Sequence, residues 1–291
     1  MHTLKFKLSI IALLIVISLI AWLLMPINAN QHDISEDQFL ESADPIRGEN
    51  LLSVAGCFAC HTDPESGVEE FSGGPALDSP FGIFYASNIT PDKETGTGSW
   101  TLSDFERAVR QGISPQNYMY YPSMPYTAYS GLTDQDIVDM WVALQRIEPI
   151  SRESKQHILP FPFNQRILLK PWRLLYFPTF QKPVEDRGEY LVKHVLHCSE
   201  CHTPRNLLGA QKLSKFLQGN KDLPDENFAP DISKDSLHNS NWSRDDMELL
   251  LSIGMLTDGD FVGGSMTEVV DYGTSQLSAD DLSAISQYLM K

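Results

Sequence analysis

Cysteine is scarce in this chain of 291 residues, which has four, and all four belong to two copies of the motif Cys-x-x-Cys-His. The copies occupy residues 57–61 and 198–202. No cysteine is left over for another role. Disulfide bonds within the pairs are chemically possible in an exported protein, but they would not explain why a histidine follows both pairs.

Basic residues are also few, with 22 Lys plus Arg against 38 Asp plus Glu and a formal net charge of −16. Such a surface argues against nucleic acid as a partner and favours plain solubility or docking onto a basic protein. Alternating strand patterns are missing as well, so nothing in the chain predicts a sheet. Short helices joined by long loops, such as residues 71–82 and 218–230, indicate an all-α fold.

The two cysteine motifs predict covalent haem. Two thiols spaced in this way can both add to the vinyl groups of one haem, and the next histidine then lies below the iron as its ligand. Two complete motifs therefore predict two haem c groups. The residues that would hold them are Cys57, Cys60, His61, Cys198, Cys201 and His202.

Zinc and a redox-active dithiol are the competing interpretations of these motifs. Zinc ribbons keep their cysteine pairs about 15 to 20 residues apart, whereas Cys57 and Cys198 are 141 residues apart. A thioredoxin-like dithiol needs a βαβ context and no histidine directly after its second cysteine. Neither alternative fits the sequence as well as haem.

One long apolar run extends from Leu8 to Met25 and follows Lys5 and Lys7. Its 18 residues fit a membrane span better than the roughly 7 to 15 apolar residues of a cleavable signal. The candidate cleavage site at residues 27–29 has a bulky isoleucine where a small residue is needed. We therefore predict that residues 1–30 form a retained anchor rather than a signal. The lysines keep the N-terminus in the cytoplasm, which places the rest on the periplasmic face of the inner membrane.

The chain repeats itself on either side of its middle. Counted from the histidine of each motif, a tryptophan recurs at 39 and 40 residues, followed directly by a helix-capping box and, twelve residues on, by a glycine. The paired landmarks are Arg47 and Arg187, Trp100 and Trp242, Thr101 and Ser243, Gly112 and Gly254, and Thr133 and Ser278. They predict two tandem homologous domains, at 45–150 and 186–291, joined by a linker at 151–185.

The linker is aromatic and has five prolines from Pro160 to Pro183. We expect it to be an ordered segment packed between the domains. The alternative is a docking surface for a membrane partner, because Trp, Tyr, Phe and Arg are common in interface cores and at bilayer boundaries. The low acidity of the linker in an acidic chain leaves that alternative open.

Two methionines are candidates for the second axial ligands of the irons. Methionine opposite histidine raises the potential of a haem used for electron transfer. Met124 follows His61 by 63 residues, and Met266 follows His202 by 64. The other nearby methionines have no methionine at the corresponding offset, so core packing is their expected role. We therefore predict Met124 and Met266 as the sixth ligands.

Two histidines, His194 and His197, lie just before the second motif and could be mistaken for iron ligands. The first half has Val54 and Gly56 at the nearest positions and still has its motif. We expect both histidines to be surface or packing residues. His157 also lacks a counterpart in the other half.

Four segments carry a recognisable pattern, at residues 82–92, 121–126, 198–205 and 264–270. They resemble the multihaem cytochrome c subunits of membrane-bound alcohol and gluconate dehydrogenases, and the resemblance spans about 45–290. It implies that these subunits' axial ligands fall here on His61, Met124, His202 and Met266. Such subunits take electrons from a quinoprotein or flavoprotein and deliver them to ubiquinone or a terminal oxidase. They usually carry three haem motifs, whereas this chain has two, so we expect the third haem's role to be absent or supplied by another protein.

The sequence thus predicts an electron-transfer protein with two six-coordinate haems and no substrate chemistry of its own. Its expected partners are a dehydrogenase as donor and a cytochrome, a terminal oxidase or the quinone pool as acceptor. The alternative is a dihaem enzyme of the peroxidase or thiosulfate dehydrogenase type with one labile distal ligand. That class needs acid, base or cationic groups around a substrate cavity, and the sequence shows no such constellation.

Overall fold

The computed structural model describes residues 2–25, 27, 34, 40–177, 184–224 and 228–291. Most of the regular structure in these residues is helical, as the sequence predicts. The helices are α1 (His2–Leu24), α2 (Pro45–Val54), α3 (Cys57–His61), α4 (Leu102–Gln111), α5 (Tyr126–Tyr129), α6 (Asp134–Leu144), α7 (Leu169–Tyr176), α8 (Arg187–Tyr190), α9 (Ser199–His202), α10 (Lys234–Asn239), α11 (Arg244–Ile253), α12 (Ser265–Tyr272) and α13 (Ala279–Met290). Helix α8 continues into a π-helical turn at Leu191–Val195.

Two small antiparallel hairpins depart from the expectation that the chain has no sheet. Strand β1 (Ala76–Ser79) pairs with β2 (Gly82–Tyr85), and β3 (Gln218–Asn220) pairs with β4 (Ala229–Asp231). Strands of three or four residues are too short to show an alternating pattern, so the sequence did not reveal them. The fold remains mostly helical.

The helix ends predicted from the repeat are confirmed. Thr101 caps α4 and Ser243 caps α11, and each hydroxyl accepts a hydrogen bond from the backbone N–H three residues on, which completes a capping box. Gly112 and Gly254 end the same helices in the left-handed conformation, with φ of 61° and 78°. That conformation favours glycine because it has no Cβ.

An Arg-Gly-Glu triplet occurs in each half, at residues 47–49 and 187–189. Each triplet lies where the first and last helices of its half cross. A Cβ on Gly48 would lie 2.0 Å from the carbonyl oxygen of Asp139, so α2 and α6 touch through their backbones. A Cβ on Gly188 would lie 2.1 Å from the carbonyl oxygen of Ala284, which repeats the contact between α8 and α13. Only glycine permits so close an approach.

The arginine of each triplet pairs with carboxylates of the same final helix. Arg47 forms ion pairs with Asp136 and Asp139, which are buried. Arg187 makes two hydrogen bonds to Asp281, at 2.7 and 2.8 Å. The triplet therefore supplies both the close helix crossing and the charge that holds it.

Both halves contribute to one hydrophobic core. It includes Leu52, Ile137 and Leu144 from the first half and Leu191 and Ile285 from the second, all of them buried. A smaller cluster forms around Phe84, Tyr121 and Leu169. The division into two domains at the boundaries given above stays a prediction, since the core is continuous across them.

The linker contacts both halves. The backbone N–H of Ile158 donates to Ile83 in β2 at 2.9 Å, and the Tyr121 hydroxyl donates to the Phe163 carbonyl at 3.0 Å. In the second half, the Trp172 indole N–H donates to the Leu208 carbonyl at 2.9 Å. The linker residues 178–183, which include Pro178 and Pro183, lie outside the described residues.

Helix α1 contains a stretch long and apolar enough to cross a membrane, by length and composition. The stretch is Lys5–Leu24, with 20 residues, a mean hydropathy of 2.6 and 0% of it buried. An anchor and a signal sequence share these properties, so retention stays a prediction. Residues 28 and 29 of the candidate cleavage site lie outside the described residues.

Candidate functional site

Each cysteine motif forms a single helical turn. In α3, Cys57, Cys60 and His61 stand at positions i, i+3 and i+4, so the three side chains share one face. Gly56 begins the turn at a φ of 74°, and Thr62 ends it in extended conformation. In the second motif Cys198 is the cap residue of α9, and Cys201 and His202 lie within that helix, so this motif also presents two thiols and an imidazole on one side.

The imidazole of each motif is held by a backbone carbonyl. Nδ1 of His61 lies 2.6 Å from the Ser87 oxygen, and Nδ1 of His202 lies 2.8 Å from the Pro230 oxygen. A carbonyl oxygen only accepts, so Nδ1 carries the proton and Nε2 keeps its lone pair for a metal. Desolvation lowers the pKa of both histidines, which favours this neutral form. The tautomer is the one a haem iron requires.

The loops after the two motifs follow the same path. The threonine after each motif accepts from the backbone of a distant residue, Phe71 N–H at 3.1 Å on Thr62 and Leu217 N–H at 3.0 Å on Thr203. Those loops then continue toward the carbonyls that hold the histidines. The two sites are therefore built alike although their loop sequences differ.

The thiols do not have the properties of a redox dithiol. Desolvation raises the pKa of Cys57 and of Cys198 to about 12, and that of Cys60 to about 11. A reactive dithiol needs a lowered pKa, because the thiolate is the nucleophile. Among the described residues, no group of three or more His, Cys, Asp or Glu side chains could hold a metal ion. These findings give no support to a dithiol or a zinc site.

The two predicted methionine ligands lie in different local structures. Met124 stands in the turn before α5, where its N–H donates to the Tyr121 carbonyl at 3.1 Å and its own carbonyl accepts from Tyr126 at 2.8 Å. Met266 is the second residue of α12. Both side chains are partly buried and pack against the core. Their ligation of iron stays a prediction.

Two other methionines have structural counterparts that are not methionine. Met119 forms a backbone bridge with Ile113, and Met255 forms the equivalent bridge with Phe261 after the glycine-capped helix of the second half. By this pairing Met255 corresponds to Ile113, and Met119 corresponds to Phe261. Neither methionine therefore has a methionine at the corresponding position of the other half.

His157 is a site-supporting residue that sequence reasoning missed. Its Nδ1 accepts from the Tyr85 N–H at 3.2 Å, and its ring packs edge-on against Phe84 and Tyr121 at 5.3 and 5.5 Å between centroids. Desolvation lowers its pKa to about 4, so the ring is neutral and able to accept. It braces Tyr121, three residues before Met124. Its sequence position gave no signal, because it has no counterpart in the other half.

The two motifs adjoin the contact between the halves. Nε2 of His197, next to Cys198, lies 3.3 Å from the carbonyl of Ala55, two residues before Cys57. The Tyr129 hydroxyl donates to the same carbonyl. His194 is buried, and its Nδ1 lies 2.9 Å from the Ala128 carbonyl. Both histidines pack between the halves, in agreement with the expectation that they are surface or packing residues.

Relatives among known proteins identify the family. No protein-family model matches the chain. It is 40% identical over 259 residues to a diheme cytochrome c-type protein of Cereibacter sphaeroides, and the match covers 86% of this chain and 86% of that protein. The chain therefore belongs to the diheme c-type cytochromes. Its cofactors are two covalently bound haem c groups.

Cytochrome subunits of dehydrogenases are also similar. The chain is 35% identical to the gluconate 2-dehydrogenase cytochrome c subunit of Pantoea cypripedii and 36% identical to the cytochrome c subunit of an alcohol dehydrogenase (quinone) of Gluconobacter oxydans. Each match covers 84% of this chain but only 58% and 53% of those subunits, so the chain spans about half their length. The family resemblance drawn from the sequence is confirmed. The chain is an electron-transfer component rather than a catalytic enzyme.

Proposed function

We propose that this chain is a membrane-anchored dihaem cytochrome on the periplasmic face of the inner membrane, which carries electrons from a dehydrogenase to a cytochrome, a terminal oxidase or the quinone pool. The observation that carries the proposal is the paired histidine geometry. At both His61 and His202 a carbonyl holds Nδ1 and leaves Nε2 for iron. Two sites with the same geometry suit a carrier that takes up two electrons, one on each haem.

The two haems would be held by equivalent sets of side chains in two tandem domains. The first set is Cys57, Cys60, His61 and Met124, and the second is Cys198, Cys201, His202 and Met266. The matching caps, loop bonds and helix crossings of the two halves support this duplication. A bound haem supplies a centre that takes up and gives back one electron without bond-making to a substrate.

The protein's own task is to keep each iron's ligands fixed. The carbonyls of Ser87 and Pro230 fix the orientation of the two imidazoles, which limits ligand movement when the charge of the site changes. Tyr121, held by His157 and by the Phe163 carbonyl, steadies the turn that carries Met124. Met124 and Met266, as the sixth ligands, would occupy the position on each iron where a small substrate would otherwise bind. This favours the carrier over the peroxidase and thiosulfate dehydrogenase alternative.

A dehydrogenase is the electron donor that the relatives suggest. The similar cytochrome c subunits of Pantoea cypripedii and Gluconobacter oxydans are named as subunits of gluconate and alcohol dehydrogenases. The net charge of −16 suits a redox partner with a basic docking face.

We expect the reduced protein to pass electrons rapidly to a basic cytochrome c and not to consume peroxide catalytically, and we expect the oxidised protein not to consume thiosulfate, which would be an electron donor. The exchange rate should fall as salt rises, because the Debye length shrinks from about 10 Å at 0.1 M to about 3 Å at 1 M ionic strength. Stopped-flow mixing with each of the three reagents measures this. Rapid turnover of either small substrate would contradict the proposal and favour the enzyme class.

We also expect the chain to remain in the membrane fraction after washing with alkaline carbonate, because Lys5–Leu24 supplies a full apolar span. Membranes from cells expressing the full chain would be washed and assayed for haem-stained protein. Protein sequencing of the retained band should begin at Met1 or His2. A mature N-terminus at Asn30, with release of the protein by the wash, would contradict a retained anchor.

A further inference from the structure

Helix α7 and the turn before it present exposed apolar side chains along one face. Ile167, Leu168, Leu174 and Leu175 follow the spacing i, i+1, i+7 and i+8, which places them on the same side of a helix. Leu174 and Leu175 are 64% and 65% exposed, so none of the described residues covers them fully. On the opposite side, Leu169 is buried in the smaller hydrophobic cluster. We call these four exposed residues the α7 face.

The α7 face is tied to the end of the candidate membrane span. Lys170 donates through its ammonium group to the carbonyls of Trp22 and Met25, the second at 2.8 Å. The ammonium group also lies 4.9 Å from the centre of the Trp22 ring. Carbonyls in the last turn of a helix lack intrahelical partners, so Lys170 caps α1 at the point where it leaves the apolar stretch. Helix α7 therefore lies at the level where α1 exits.

The charge around the α7 face is opposite in sign to that of the chain. The chain carries a net charge of −16, yet residues 154–184 contain no Asp or Glu. Arg166, Lys170 and Arg173 give the segment around α7 a positive charge. Their head groups are held by the protein: Arg166 donates to the Met119 carbonyl at 2.7 Å, and Arg173 lies 5.0 Å from the centres of the Tyr126 and Phe177 rings. The α7 face thus combines an exposed apolar strip with a segment free of acidic residues, so no carboxylate of this segment opposes contact with an anionic membrane surface.

We propose that the α7 face lies on the periplasmic leaflet of the membrane, with Leu174 and Leu175 inserted among the lipids. The inference rests on the proposed anchoring through α1. A single membrane span keeps the protein close to the bilayer, but it does not determine the orientation of the periplasmic part relative to the membrane. A second contact at α7 fixes its orientation, and with it the direction in which both haem motifs face their partners.

A nitroxide label tests this in the full-length, haem-loaded protein. The native cysteines are consumed by thioethers, so a cysteine introduced by Leu174→Cys is the one that reacts with the label. The matched control is Ile253→Cys, an apolar residue on α11 that is 53% exposed. Both proteins would be reconstituted into vesicles of phosphatidylethanolamine and phosphatidylglycerol. Power-saturation spectroscopy then measures collisions of the label with oxygen, which concentrates in lipid, and with a water-soluble nickel complex.

We expect the label at 174 to collide several-fold less often with the nickel complex, and more often with oxygen, than the label at 253. Nickel collision rates equal to those of the control would overturn the inference, and the α7 face would then be assigned to a protein partner. The anchoring is judged separately, by whether the unlabelled protein floats with the vesicles through a carbonate wash. Floating protein with a water-exposed label refutes the α7 contact alone, whereas protein that does not float refutes the anchor and this inference together.

Discussion

Replacing Met124 or Met266 by alanine is expected to abolish one sulfur-to-iron charge-transfer band and to lower the potential of one haem while leaving the other unchanged. Loss of the thioether leaves water or a stronger donor on the iron, and either stabilises the ferric state. Axial ligands set haem potentials over about 0.8 V, so the shift should be large compared with the effect of a surface substitution. Spectroelectrochemical titration measures both potentials in each variant.

Met119→Ala and Met255→Ala are the matched controls for the ligand substitutions. Both methionines lie in the equivalent backbone bridges, opposite residues that are not methionine, and we expect both charge-transfer bands to survive their removal. Mass spectrometry should find two covalent haems in all four variants, since the cysteines are untouched. If the Met119 or Met255 variant loses a band while the Met124 or Met266 variant keeps both, the ligand assignment is wrong.

Gly48→Ala is expected to lower the free energy of unfolding by about 3 kcal/mol, at the upper end of the usual cost of overpacking. The added Cβ would lie 2.0 Å from the Asp139 carbonyl oxygen and 2.8 Å from the Ala143 Cβ, so α2 and α6 must move apart. That movement also lengthens the ion pair between Arg47 and Asp139. Guanidinium unfolding of the haem-loaded protein, followed by circular dichroism, measures the loss.

Asn50→Ala is the control for this substitution, because Asn50 is exposed in the same helix and alanine favours helices. Its effect should be within about 0.5 kcal/mol. Gly188→Ala should reproduce the large loss at the second helix crossing, where the added Cβ would lie 2.1 Å from the Ala284 carbonyl oxygen. A Gly48→Ala protein as stable as the Asn50→Ala protein would show that the two helices do not touch through their backbones.

Local chemistry made much of the fold predictable. The capping boxes at Thr101 and Ser243 and the glycine ends at Gly112 and Gly254 depend on residues a few positions apart, so the sequence shows them directly. The hairpins were missed, since a strand of three residues, such as Gln218–Asn220, has too few positions for a pattern. Arg47 and Arg187 were recognised as landmarks of the repeat, but the helix contacts made by their Arg-Gly-Glu triplets became evident only from the position of the crossing helix.

The sequence by itself determined the cofactor, the number of haems and the repeated order of the elements, because covalent attachment and helix capping are set by residues close together in the chain. Tertiary structure alone decided which carbonyls hold His61 and His202, that His197 meets Ala55 between the halves, and that Lys170 brings α7 to the end of α1. Each of these contacts joins residues far apart in sequence. Their pairing is fixed by the packing of a shared core, which no local pattern encodes.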